Sequence, residues 1–370
     1  MISRGRVRVI LRGAGARAMP ARVLEWAGRE PRWFVACAAM PRSLARSRLE
    51  ELLAQARGRR IAVVGDAMLD VYLRGDVDRI SPEAPVPVVR VRERRFALGG
   101  AANVAQNVAA IGAVGELVSV IGRDAAGVQL REMLNEIGAD PRALIEGSRP
   151  TTTKTRVLAR AQQVVRFDEE DDADLEGEDI DAVHRAVERA LSEADALVLE
   201  DYNKGVLSAA VIEQAVSQAM SRGIPIVVDP KYKNFFAYRG ATVFKPNRRE
   251  LEAALGAEVD LEQPEALPAI LRRLEVDHLL MTLGEQGMAI LGRESGLHRI
   301  PTTAREVYDV VGAGDTVTAY LASMLAAGAD VLEAAVIANY AAGVEVGKLG
   351  AATVTGEEVL EAYDDHVSSD

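Results

Sequence analysis

The sequence predicts a doubly wound α/β sheet with a small β-rich appendage. Three observations carry this: short apolar runs that read as buried strands, amphipathic helical stretches between them, and two alternating segments with no helix alongside. In chain order, Ser43 to Arg57 reads as a helix with Leu44, Leu49, Leu52 and Leu53 on one face. Ile61–Gly65 (IAVVG) is a strand buried on both faces, and similar runs recur at Leu117–Ile121, Ala196–Leu199, Ile224–Asp229, Ala241–Phe244, Leu279–Leu283 and Met288–Leu291. Helical patterns fall between several of them, at Ala101–Ile111, Gly127–Ile137, Ile180–Ser192, Ala209–Arg222 and Pro264–Leu274. Val71–Phe96 and Thr151–Asp168 alternate without a helix between, the pattern of a small projecting sheet that closes over a ligand or pairs two copies. The acidic run Glu169–Asp181 reads as a solvated loop leading into a helix.

Charge and composition exclude several functions. Residues 1–60 hold fourteen arginines against four acids, a balance of +10, so the chain's formal −11 leaves −21 on residues 61–370. An acidic body does not bind nucleic acid non-specifically. Aromatics at 4% argue against base-stacking surfaces. The one cysteine, Cys37, excludes an internal disulfide framework, and the four histidines (His184, His278, His298, His366) lack metal-ligand spacing. No stretch reaches the roughly 18 to 20 apolar residues of a membrane span. The Arg-rich residues 1–42 lack the apolar core of a secretory signal and read as a non-core leader, with Met40 as an internal start.

The strongest chemical signal is Asp309–Thr316 (DVVGAGDT), followed by an apolar stripe at Val317, Tyr320, Leu321, Met324 and Leu325. GAGD therefore sits at the mouth of a buried helix. Glycines there let backbone N–H groups approach an anion, and the helix dipole favours negative charge. Asp315 beside that anion hole is placed to take a proton from a hydroxyl while phosphate is transferred. Taken alone, the same residues also suit a glycine turn with a capping Asp. The spacing is not a dinucleotide-binding GxGxxG, and Gly343–Lys348 (GVEVGK) is not a P-loop.

GAGD opening a late helix, an early GG (LGGAANVAQN, Leu98–Asn107) and N-x-x-E (NRRE, Asn247–Glu250) together resemble the pfkB, or ribokinase-like, sugar kinases across residues 61–355. Gly65–Val89, Arg149–Val157, Gln162–Asp171, Asp201–Leu207 (DYNKGVL), Val228–Glu250 and Val346–Val354 are similar to its heptose-7-phosphate kinase branch. The resemblance implies a ribokinase-like α/β/α sandwich with a β-sheet lid. It would consist of one kinase domain over residues 43–366, with lid segments near 71–96 and 151–168. It also implies a cytoplasmic enzyme using ATP and Mg²⁺ on a small sugar phosphate, dimeric through the lid. Bifunctional members carry a second domain, so a chain ending at Asp370 implies a kinase alone.

Residue by residue, the resemblance makes Asp315 the base and Gly312, Ala313 and Gly314 the anion hole. Asn247 and Glu250 would order Mg²⁺, through water, around the phosphates. Thr282, Gly284, Gly287, Asn339 and Gly343 would receive the nucleotide, the last two being equally suited to close helix packing. Asp70, Gly99, Gly100 and Asn103 would hold sugar hydroxyls, and Asp66 would serve its own turn. A phosphosugar needs cations, for which Arg156 and Lys204 are the candidates, with Lys154, Arg160 and Arg166 as rivals on the same segment. The alternative for Lys204 is a structural pair with Asp201, and Lys231 is open to phosphate or a salt bridge. Tyr320 departs from the family's small residue on the helix. Another sugar kinase of this fold and a non-catalytic sensor that kept it are the competing readings.

Overall fold

In this computed structural model residues 44–368 are described, apart from 161, 264 and 265. The leader expectation, Ser43 and the start of the helix expected from Pro264 lie outside the described residues.

The strands are β1 Arg60–Gly65, β2 Ala67–Ile80, β3 Pro87–Gly100, β4 Val114–Ile121, β5 Leu144–Glu146, β6 Thr153–Ala159, β7 Gln162–Glu169, β8 Ala196–Glu200, β9 Ile226–Asp229, β10 Val243–Phe244, β11 His278–Thr282, β12 Met288–Gly292 and β13 Gly296–Ile300. The helices are α1 Arg46–Ala56, α2 Ala101–Ala110, α3 Ala125–Glu136, α4 Gly177–Glu193, α5 Ala209–Arg222, α6 Arg248–Leu255, α7 Leu267–Leu274, α8 Ala313–Ala326, α9 Val331–Glu345 and α10 Gly356–Val367.

Nine strands form the main sheet in the order β13-β12-β11-β10-β9-β8-β1-β4-β5. From β11 to β5 all neighbours are parallel, and β12 runs antiparallel to both of its own. The apolar runs are continuous because both faces are covered. Ile61 and Val63 of β1 join one core with residues of α1, α2, α8 and α9, while Ala62 and Val64 join the other with α4, α5 and α7. Doubly wound topology puts the carboxyl ends of β1, β8 and β9 at one edge, where such sheets bind ligands.

The two alternating segments form a separate four-stranded sheet, ordered β3-β2-β6-β7. β2 leaves the core directly after β1, and β3 returns into α2 through Gly99 and Gly100, so this sheet is rooted beside the carboxyl edge. Along β7 every residue is exposed, including Val164, Val165 and Phe167.

Two short strands, Leu144–Glu146 and Gly296–Ile300, went unread because they are brief and mixed in polarity. The acidic run is the largely exposed loop leading into α4 that was expected, and within it Glu170 and Asp174 pair with Lys204 and Lys233, both at 2.8 Å. Tyr320 is fully buried, donating its hydroxyl to the Val354 carbonyl at 2.9 Å.

Candidate active site

GAGD opens α8. Gly312 is the N-cap with φ of +99°, in the left-handed region that favours glycine, and a side chain there would meet the Asn103 amide. Asp315 follows in the first turn, 5% exposed. Its Oδ1 accepts the Tyr202 hydroxyl at 2.9 Å and its Oδ2 accepts the Asn103 amide at 2.7 Å. Burial raises its carboxyl to about 6, and the hydrogen bonds from Asn103 and Tyr202 pull the other way. Burial and the Asp315 charge push the Tyr202 phenol well up, so it remains a donor.

Below Asp315 lie the carboxyl ends of two central strands. Glu200 closes β8 and Asp229 closes β9. Asp229 accepts from the buried Lys245 ammonium at 2.7 Å. Burial opposes that ammonium, but Asp229 and Glu200 outweigh it and hold its pKa above the ordinary value. Glu200 is fully buried and neither carboxylate oxygen has a hydrogen-bond partner; burial, then Asp229, drives its pKa well up.

N-x-x-E forms the start of α6 as a reciprocal capping box. Asn247 accepts from the Glu250 N–H and Glu250 accepts from the Asn247 N–H, each at 2.9 Å. Glu250 also pairs with Lys231. A bridge between Asn247 and Thr282 holds this motif against the end of β11. Glu250 spends one oxygen on its own cap and keeps lone pairs and some exposure, which fits a hydrated Mg²⁺ held through water rather than direct ligation.

A cavity of about 550 Å³ opens beside α8, lined by Thr282, Gly284, Gly287, Ala313, Gly314, Asn339 and Gly343 among others. The five residues expected on the nucleotide loop and helix thus share one cavity with Ala313 and Gly314. Asn339 also donates to the Pro301 carbonyl at 2.9 Å, and a side chain on Gly343 would sit 2.6 Å from Thr303 Oγ1, so both serve packing as well.

On the other side of Asp315, Asp70 and Asn103 are buried, and Gly99 lies against Asp70. Arg156 donates to Asp70. Asp66 accepts the backbone N–H groups of Tyr202, Lys204 and Val206 at 2.8–3.1 Å, which bears on its turn reading. Lys204 pairs with Glu170 rather than Asp201, which instead accepts the Tyr238 hydroxyl at 2.7 Å. Lys154 lies 5.8 Å over the Tyr202 ring, whereas Arg166 pairs with Asp168 out on the exposed β7.

Sequence reading missed Tyr202, Glu200, Asp229 and Lys245. The available signal was position: each stands at or just past the carboxyl end of a parallel strand. It also missed Glu345 on α9, which is buried beside Gly312 and pushed up to about 8 by burial and by Asp309.

The model of the pfkB family carbohydrate kinases matches residues 59–357. The bifunctional protein HldE of Rhodospirillum rubrum is 43% identical over 317 residues, covering 85% of this chain and 64% of that protein. HldE of Nitratiruptor sp. is 45% identical over 304 residues, 82% of this chain and 64% of that protein. The chain therefore spans slightly under two thirds of these relatives' length. Among solved structures, Arabidopsis thaliana ribokinase complexed with ribose and ATP superposes with a TM-score of 0.67 at 20% identity, covering 83% of this chain and 99% of that one. Escherichia coli phosphofructokinase-2 in complex with substrates and products gives 0.69 at 22% identity, with the same coverage. At that identity the likeness shows a shared ribokinase-like fold. Among the described residues no helix is long and apolar enough to cross a membrane.

Proposed function

The chain belongs to the pfkB family of carbohydrate kinases, and from that premise we propose that it transfers the γ-phosphoryl group of ATP to the anomeric hydroxyl of D-glycero-β-D-manno-heptose 7-phosphate. The products are the 1,7-bisphosphate and ADP, on the route to ADP-heptose. The observation that carries this reading is the position of Asp315, buried between the nucleotide-sized cavity and the group formed by Asp70, Gly99 and Asn103. Motifs similar to the heptose branch, and relatives of 43–45% identity named HldE, favour a heptose phosphate over ribose or fructose.

In this reading the Asp315 carboxylate, ionised at neutral pH, takes the proton of the anomeric hydroxyl. The anomeric oxygen attacks the γ-phosphorus, and the bond to the bridging oxygen breaks with its electron pair leaving on ADP. The backbone N–H groups of Gly312, Ala313 and Gly314 and the α8 dipole bind the phosphoryl charge. Thr282, Gly284, Gly287, Asn339 and Gly343 receive the nucleotide. Asp70, Gly99, Gly100 and Asn103 hold sugar hydroxyls. Mg²⁺ bound with ATP supplies charge neutralisation on the phosphates, and Asn247 and Glu250 would hold its waters. Arg156 keeps donors beyond the one spent on Asp70, and with Lys204 it would clamp the terminal phosphate. The four-stranded sheet acts as the lid of a single kinase domain over residues 43–366. The exposed apolar residues of β7 are where a second copy pairs, and the enzyme works in the cytoplasm.

One observation favours a different substrate: Arg156 and Lys204 already face acids, Asp70 and Glu170, which suits a neutral sugar. Coupled ADP release with MgATP over a panel of sugars, each with and without a terminal phosphate, separates the two. Turnover on heptose 7-phosphate with little on unphosphorylated sugars supports the proposal. Turnover on neutral sugars alone keeps Asp315 and discards the heptose assignment.

A further inference from the structure

One face of the four-stranded sheet carries polar groups to which that chemistry gives no task. Strand register sets Ala97, Asp70, Lys154 and Asp168 in one row across the sheet, and Arg95, Tyr72, Arg156 and Arg166 in the next row out. Residues two apart on a strand share a face, so both rows stand on the same side. The Lys154 ammonium of that side lies 5.8 Å over the Tyr202 ring, and the Asp309 charge reaches Tyr72, so both rows look toward the start of α8.

On these rows four cations meet two acids. Asp70 is spent on Arg156 and Asp168 on Arg166. Among the described residues Arg95 and Lys154 have no acid partner. Tyr72 stands between two guanidinium-bearing neighbours, Arg95 opposite it on β3 and Arg156 opposite it on β6, with Arg156 5.3 Å from its ring centre. The Tyr72 hydroxyl is buried and has no hydrogen-bond partner. A buried donor without an acceptor is rare and costly, so this row suits an acceptor that a ligand brings. An anion with several oxygens fits it, one oxygen for the hydroxyl and the others for the planar forks of Arg95 and Arg156. A phosphomonoester presents three such oxygens.

We propose that Tyr72 and Arg95, together with Arg156, receive the terminal phosphate of the sugar, so that the small sheet itself tells a phosphosugar from a neutral one. This rests on the reading that the acceptor sugar is phosphorylated. Both residues meet the end of the sugar remote from the hydroxyl that reacts, so their removal is read in sugar binding.

The test is calorimetric binding of heptose 7-phosphate, and of the same heptose without phosphate, to the full nucleotide-free chain. The wild type is expected to bind the phosphosugar about tenfold or more tighter than the neutral sugar. Arg95→Met is expected to lose about tenfold on the phosphosugar and to stay within about twofold on the neutral sugar. Tyr72→Phe is expected to lose about threefold or more on the phosphosugar alone. Since it gives up no bond within the protein, it should melt no lower than the wild type in the absence of ligand. Arg90→Met removes a cation paired with exposed Asp78 near the far end of β3, and should leave both affinities within about twofold. If the wild type discriminates but either Arg95→Met or Tyr72→Phe binds the phosphosugar as tightly as it does, the proposal is overturned and the phosphosugar reading stands. Equal losses on both sugars also overturn it, because they mark a structural role. A wild type that binds the two sugars alike overturns the proposal and the phosphosugar reading together.

Discussion

The Asn103 side-chain amide donates to Asp315 at 2.7 Å across 212 residues of chain, tying the first turn of α2 to the first turn of α8. The starts of α2 and α8 are thus registered through one hydrogen bond. Tyr202 fixes the other oxygen, so the carboxylate has little freedom to rotate.

Asp315→Asn keeps the shape of this arrangement and removes the base. The expected result is a loss in kcat of about 10³–10⁵-fold with KM for ATP within a few-fold of wild type. Steady-state kinetics checks this, and near-normal turnover would remove Asp315 from its role.

The activity should depend on pH through the same carboxyl. Its ordinary value of 3.8 is raised to about 6, so the ionised form needed for proton abstraction is lost as pH falls through 6. The kcat profile is expected to show an acid limb there. In Tyr202→Phe one of the hydrogen bonds that favours the carboxylate is gone, so the limb should move to higher pH, with kcat down about 3–30-fold. An unmoved limb would separate Tyr202 from the titrating group.

Glu345 supplies a stability prediction. It keeps its proton up to about 8 in the fold, against 4.5 as the ordinary value. Between those values the folded state binds more protons than the unfolded chain, so stability falls as pH rises from 4.5 to 8. Glu345→Gln does not titrate. Its melting temperature should therefore gain on the wild type by a few degrees between pH 5 and pH 9. A constant difference across that range would contradict a buried, proton-holding Glu345.

Arg156→Gln and Lys204→Met are expected to raise KM for a phosphorylated sugar about tenfold or more while leaving KM for ATP near wild type. Equal losses on phosphorylated and neutral sugars would show that both cations serve only their acids, Asp70 and Glu170.

Local pattern made much of this legible. The apolar runs announced a sheet covered on both faces, and glycines before the stripe from Val317 to Leu325 announced the mouth of a buried helix. Thr282, Gly284, Gly287, Asn339 and Gly343, which line one cavity, were reachable because they belong to short recognisable motifs. What was not legible depends on long-range packing. Glu200 and Glu345 are acids that sequence alone assigns to the surface, yet both are fully buried. Lys204 finds Glu170 from a distant acidic run rather than its near neighbour Asp201.

The most direct measurement is coupled phosphorus–proton NMR of the product formed from heptose 7-phosphate and MgATP. The account predicts a second phosphomonoester coupled to the anomeric proton, accumulating in step with ADP. Phosphate on any other carbon, or ADP with no new sugar phosphorus, would contradict it.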